Sequence, residues 1–199
     1  MPDRAEANAL LALMLLHDAR RDARTTPDGN AVLLESQDRS RWDRAQIDEG
    51  LHRTESALQA LARPGTYAVQ AAIAALHMRA PRYEDTDWPQ IAALYAVLLR
   101  IHPSPVIELN HAVAVSMVDG PERALALVDS IDRRGELNGY HMLPAVRGDL
   151  LRRMGRRDEA AAAYRKALEG VDLEPERRFL NERLAELTGN ATASTSPPT

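Results

Sequence analysis

HMLPAVRGDLLRRMGRRDEAAAAYRKAL, residues 141–168, is the stretch that decides the fold. Leu143, Val146, Leu150 and Met154 recur every three or four residues up to Gly155, and Ala160, Tyr164, Ala167 and Leu168 resume the period beyond it. Two amphipathic helices joined by a short turn leave that pattern, and a short turn makes them antiparallel. The small residues are more specific than the period. A tetratricopeptide unit has a small residue at its eighth place, Gly near the fifteenth, Ala at the twentieth, an aromatic at the twenty-fourth and Ala at the twenty-seventh. Counted from His141, these places hold Gly148, Gly155, Ala160, Tyr164 and Ala167. Gly148 and Ala160 then mark where the two helices touch, and Tyr164 fills the groove towards the next helix.

Working backwards, the repeat decays. Anchored on Ala124, the unit before has Ala112 as its small residue, Val128 and Ile131 at the later places, and Gly120 one residue late. One unit further back only Tyr95 and Pro103 fall in phase. Ala124 and Ala160 stand 36 residues apart, against a period of about 34. The competing reading is a generic antiparallel bundle with an Ala-rich seam. The expected fold is all-α, a tetratricopeptide-like helical-hairpin solenoid with two flanking N-terminal helices. The expected organisation is an N-terminal helical segment over 1–63, repeats over 64–188, and a disordered tail over 189–199, where NATASTSPPT follows Gly189 and offers nothing to bury.

The flanking helices are read from the other end. Residues 3–21 place Ala7, Leu10, Leu11, Met14 and Leu15 on one face, and Leu13 and Leu16 widen the stripe, so this helix is expected to be buried on most sides. RTTPDGN, 24–30, is turn chemistry. Residues 31–35 make a short apolar run, too short to assign, that fits an extended segment packed on the helices. Ser40 with Asp43 fits a capping box and predicts Ser40 as the N-cap of the second helix, with Ile47, Leu51, Leu58 and Leu61 as its stripe. Asp87 with Gln90 predicts a cap for the helix carrying Ile91, Leu94, Tyr95, Leu98 and Ile101.

Composition narrows the functional classes. The chain has 199 residues, 45% hydrophobic and 27% charged, in the range of an ordinary globular protein. Aromatics are 4%, so Ala, Leu and Val must fill the core. There are 25 basic residues, of which only Lys166 is lysine, a bias that fits a GC-rich genome better than a chemical need. Cysteine is absent, which removes disulfides, thiolate metal sites and a cysteine nucleophile. A net charge of −4 argues against autonomous binding to a phosphate backbone. The apolar run Ala9–Leu16 is far too short for a membrane span. The expected location is the cytoplasm.

Catalytic and metal chemistry find little support. No two of the six His stand three or four apart. Asp48 with His52 and Glu108 with His111 have that spacing, but one carboxylate and one imidazole on a helix face usually form a surface ion pair. No catalytic residue, cofactor-binding residue, metal ligand or cofactor is expected. Two clusters alternate Asp with Arg: His17-Asp18-Ala19-Arg20-Arg21, and Gln37 to Asp43 around Arg39, Arg41 and Trp42. One reading is a salt-bridge and capping network, with the arginines paired to Asp18, Asp38 or Asp43 and Trp42 in the core. The other is a docking patch anchored on Arg39, Arg41 and Trp42, with Arg20 and Arg21 beside it. Asn110, Tyr140 and His141 form a third docking candidate, because they begin or line repeat helices whose inner faces build a groove in solenoids.

The strings LLALMLLHDARR (10–21), LLESQDRSRWDRAQI (33–47), AIAALH (72–77), DTDWPQIAALYAVLL (85–99), PSPVIELNHAVAV (103–115), the repeat at 140–168 and EPERRFLNERL (174–184) together carry a resemblance. The chain resembles the long C-terminal extension of a group of extracytoplasmic-function RNA polymerase sigma factors common in actinobacteria and other GC-rich bacteria. The resemblance implies a tetratricopeptide-like regulatory module that follows the promoter-binding part of a sigma factor and is tied to its activity. It implies as partners the sigma core regions, RNA polymerase, or a small regulator encoded nearby, of a YCII-related class. The core regions that melt and read promoter DNA are absent from this sequence, so DNA binding is not carried over, and the chain is expected to be one part of a longer protein. Two rival readings remain: a small-molecule-sensing domain with its ligand in the helical groove, and an enzyme with a site spread over the Asp/Arg clusters.

Overall fold

The computed structural model describes residues 2–189, and within them the fold is all-α, built of consecutive helical hairpins. The helices are α1 (Pro2–Asp18), α2 (Arg44–Ala60), α3 (Thr66–Arg79), α4 (Trp88–Ile101), α5 (Pro105–Val118), α6 (Pro121–Arg134), α7 (Met142–Arg153), α8 (Arg157–Glu169) and α9 (Glu174–Gly189). Short 3₁₀ turns punctuate the connections, and the isolated Thr25–Ala31 bridge closes the RTTPDGN turn. Two compact units divide between His111 and Ala112. The boundary expected after residue 63 is not the one between the units, because α3 packs on both α1 and α2 and so belongs with them. The tail expected over 189–199 lies outside the described residues from 190 onward.

In the first unit α1 packs against α2 and α3, and α3 against α4. The face that α1 buries is Ala5, Ala9, Ala12 and Leu16, continued by Ala19 just beyond its end. Most of these are one-carbon side chains, so the helices approach closely: a Cβ added to Gly50 of α2 would stand 2.7 Å from the Leu16 side chain. The expectation that α1 is buried on most sides is therefore corrected. The stripe of large residues read as its inner face points outward, with Leu10, Leu11 and Met14 being 36%, 40% and 60% exposed. Alanines won the interior because an Ala seam buries backbone and methyls of three helices at once, where leucines would hold those helices apart.

A second cluster closes the same unit around Trp42, which packs with Leu16, Ala19, Ile47, Ala75 and Met78. Leu34 from the short apolar run packs against this cluster. The cap of α2 is also corrected. Asp43, not Ser40, is the N-cap, accepting from the Gln46 backbone N–H at 3.0 Å and from the Gln46 amide at 3.1 Å. Ser40 is used one turn earlier, where its own N–H and hydroxyl both donate to Asp38. Asp87 caps α4 as expected, accepting from Gln90 N–H at 3.0 Å. The N-cap of α3 is Gly65, which has no side chain to offer, and Glu6 of α1 takes its place by accepting from the N–H groups of Tyr67 and Ala68. Asp43→Ala is expected to cost about 1 kcal/mol, and Ser40→Ala only a few tenths. Urea unfolding of the two variants checks the assignment, and the reverse order would return the cap to Ser40.

In the second unit α7 and α8 form the hairpin read from the sequence, with α6 against α7 and α9 against α8. Gly155 has a positive φ of 75°, a left-handed position that glycine takes at least cost. The Gly155 N–H donates to Arg152 O at 3.0 Å and the Arg156 N–H to Leu151 O at 2.9 Å, which is a Schellman closure of α7. Tyr164 is fully buried, and a Cβ on Gly148 would come within 2.8 Å of its ring. The close approach at Gly148 is thus to the Tyr164 ring itself. Ala112, Ala124, Val128, Ile131, Ala160 and Ala167, the other repeat positions, are all fully buried.

Candidate functional site

The first unit contains a cavity of about 360 Å³. Its placement follows from helical period. Leu13 and His17 of α1, with Arg20 just past its end, are spaced i, i+4, i+7, as are Gln70, Ala74 and His77 of α3. Each segment therefore turns one narrow face to the same space. Tyr95 and Leu98 of α4, with Ile107 and Asn110 of α5, complete it. No Asp or Glu is among these lining residues.

Its electrostatics are one-sided. Burial, with Arg24 and Arg39 nearby, pulls the Arg20 pKa down to about 10. Burial, then Arg20, Arg39 and His17, pushes His77 down to about 4. His17 is lowered too, by burial and then by Arg20 and Arg24. In each case the charged form is disfavoured by lost hydration and by like charge. Burial alone raises Tyr95. Arg20 Nε and His77 Nδ1 are both buried without a hydrogen-bond partner among the described residues. The His77 ring stands edge-on to Trp88, with centroids 5.2 Å apart.

A neutral buried histidine gives a pH dependence with a definite sign. Burial holds His77 at about 4 in the folded chain, against the ordinary 6.5 of an imidazole in the unfolded one. Between these values the unfolded chain holds the extra proton. Stability contributed by neutral His77 is complete above the unfolded value and is lost as pH falls towards the folded one, by about 3 kcal/mol. Unfolding free energy of the native chain minus that of His77→Gln, measured from neutral pH down through this window, should fall. A flat difference would mean that His77 is not held neutral.

The residues singled out from the sequence are distributed as follows. Trp42 is 3% exposed and offers a partner nothing, which corrects its reading as a docking anchor. Arg39 is drawn inward: its Nη1 donates to the carbonyls of His77 and Ala80 at the end of α3, both at 2.8 Å, and its guanidinium lies 4.4 Å from the Trp42 ring centroid. It serves a helix C-terminus and an aromatic face. The expected pairing of Arg39 and Arg41 with Asp18, Asp38 or Asp43 is not found among the described contacts. Asp18 pairs with Arg21, while Asp38 and Asp43 cap backbone N–H groups. Arg41 is exposed, and so is Arg21.

Arg20 and Asn110 are brought together on the cavity. Tyr140 and His141 belong to the second unit, where His141 Nε2 lies 3.1 Å from Glu176 Oε2. The set Asn110, Tyr140 and His141 is therefore divided between units. Gln70, His77 and Tyr95 were missed. Their signal was a polar residue at i and i+7 in the otherwise apolar stretch 67–78 of α3, with a tyrosine in the stripe of α4. Among the described residues no group of three or more His, Asp or Glu converges as a metal site, and no helix is long and apolar enough to cross a membrane.

Comparison with known proteins adds two findings. A family model described as a family of unknown function (DUF6596) matches residues 1–58. An uncharacterized protein of Rhizobium meliloti (strain 1021) is 48% identical over 167 residues, which is 84% of this chain and 39% of that protein. The chain thus spans well under half the length of this curated relative. No solved structure matches the chain.

Proposed function

We propose that the chain is a regulatory, protein-binding module of an alternative sigma factor, acting on transcription initiation through contacts with the sigma core regions, RNA polymerase or a small regulator. The observation that carries this reading is the outward stripe of α1. Leu10, Leu11 and Met14 form a contiguous apolar face on a helix that already has a buried one. Burying such a face against a partner is favourable by about 25 cal/mol per Å² of apolar area, and a helix carrying two apolar faces is suited to being covered on both. The resemblance of residues 10–21 and 33–47 to the sigma-factor extension supports the same reading. So does the length of the relative, which leaves room for further parts in a protein of that kind. The reading assigns the chain no catalysis, no direct DNA binding and a cytoplasmic location.

The test is capture of the sigma core regions and of RNA polymerase, each purified, by the immobilised chain. Leu11→Glu combined with Met14→Glu is expected to reduce capture at least tenfold. Circular dichroism and melting temperature should be unchanged, since both side chains are exposed. Capture of neither partner by the native chain would remove the reading. A second reading, a small-molecule sensor, is favoured by one observation, the cavity beside Arg20.

A further inference from the structure

We propose that the cavity of the first unit binds a small organic carboxylate with an apolar body, the carboxylate held by Arg20. A buried cation is costly unless it is paired. The arginines of this chain are commonly paired: Arg21 with Asp18, Arg53 with Glu49, Arg82 with Asp85, Arg147 with Asp129. Arg20 is different. Its guanidinium has no carboxylate within ion-pair distance among the described residues, and its Nε is buried with no acceptor. Around it stand His17, His77, Gln70, Tyr95 and Asn110, with no acidic residue in the lining. The charged groups facing this end of α1 from neighbouring segments, Arg24 and Arg39, are also cations. The site lacks one negative charge, and a carboxylate accepts a guanidinium in paired hydrogen bonds.

The walls decide the rest of the ligand. Leu13, Leu16, Ile73, Met78, Leu98 and Ile107 form the apolar part of the lining. A small inorganic anion would leave them unfilled. The volume, about 360 Å³, lies at the lower end of the range for small-molecule pockets. A short hydrocarbon or aromatic body therefore completes the ligand. A cavity in the second unit makes the contrast: Arg133, Arg147 and Lys166 line it, but Asp129 and Asp132 stand beside them and pair with Arg147 and Lys166. The inference is independent of the protein partner. Leu13, His17 and Arg20 line the cavity, whereas Leu10, Leu11 and Met14 are not among its lining residues.

The experiment is calorimetric titration of the whole chain with octanoate, and with octan-1-ol as the uncharged guest of similar shape. Octanoate should bind saturably at one site per chain, and octan-1-ol about tenfold more weakly or worse. Arg20→Gln should weaken octanoate at least tenfold without lowering the melting temperature, since it removes a half-buried cation that has no counter-charge. If that variant misfolds, Asn110→Ala, at an exposed position of the lining, should still weaken octanoate a few-fold. As a second readout, octanoate should shift the imidazole NMR signals of His77 and leave those of exposed His52 in place. Octan-1-ol binding as well as octanoate, Arg20→Gln binding as the native chain does, or no saturable binding at millimolar octanoate would each overturn the proposal. The Leu11→Glu, Met14→Glu variant should bind octanoate normally, so failure of the partner reading and failure of this one are told apart.

Discussion

Trp42→Ala should lower the unfolding free energy of the first unit by about 3–5 kcal/mol, the usual cost of truncating a core aromatic. The ring is 3% exposed and stands at the point where the end of α1, the start of α2 and the end of α3 meet, against Leu16, Ala19, Ile47 and Met78. Few side chains in this protein could fill the void, because several of the neighbours are alanines with no reach. The Arg39 guanidinium, 4.4 Å from the ring centroid, would also lose the face it lies on. Trp42→Phe is the informative companion. The indole Nε1 is buried without an acceptor among the described residues. The change removes an unsatisfied donor while keeping most of the ring, so the loss should be well below that of Ala. Arg41 is exposed, and Arg41→Ala should stay within about 0.5 kcal/mol of the native chain. Urea unfolding followed through Trp88 fluorescence measures all three. An unchanged midpoint for Trp42→Ala would mean that the ring is not a core element.

The second large effect belongs to the other unit. Tyr164 heads the fully buried side chains and its ring lies against Gly148, so Tyr164→Ala should cost about 3–5 kcal/mol. At Gly148 a new Cβ would stand 2.8 Å from two ring carbons. Gly148→Ala should therefore be destabilising by about 1–3 kcal/mol, despite the better helix propensity of alanine. In the Tyr164→Ala background the sign should reverse. With the ring gone, the same Gly148→Ala change gains about 1 kcal/mol of helix propensity and fills part of the void. The double-mutant cycle, read by far-ultraviolet circular dichroism in urea, would thus give a coupling of several kcal/mol. Additive costs would show that Gly148 and Tyr164 do not touch.

The pH dependence assigned to His77 and the carboxylate assigned to Arg20 meet in one cavity. There burial keeps the imidazole neutral, and a lining without Asp or Glu gives the guanidinium no counter-charge.

The sequence by itself determined the elements whose causes are local. The α7–α8 hairpin follows from a 3.6-residue period, a glycine where the chain must turn left-handed, and a Gly and a Tyr spaced to meet across the hairpin. The Asp87 cap follows from one carboxylate and the N–H three residues on. Tertiary structure decided whatever had two locally equivalent answers. Along α1 both the alanine face and the leucine face are apolar, and only the close approach of α2, at Gly50 and Ala57, and of α3, at Ala68, selects the alanines. At the start of α2 both Ser40 and Asp43 can cap. The burial of Trp42 between them, with Asp38 already accepting from Ser40, moves the helix start to Asp43. The cavity was the least legible feature. Arg20, His77, Tyr95 and Asn110 come from four segments far apart along the chain. Each is ordinary beside its own neighbours, and only packing those segments together puts a cation, two imidazoles and no acid around one space.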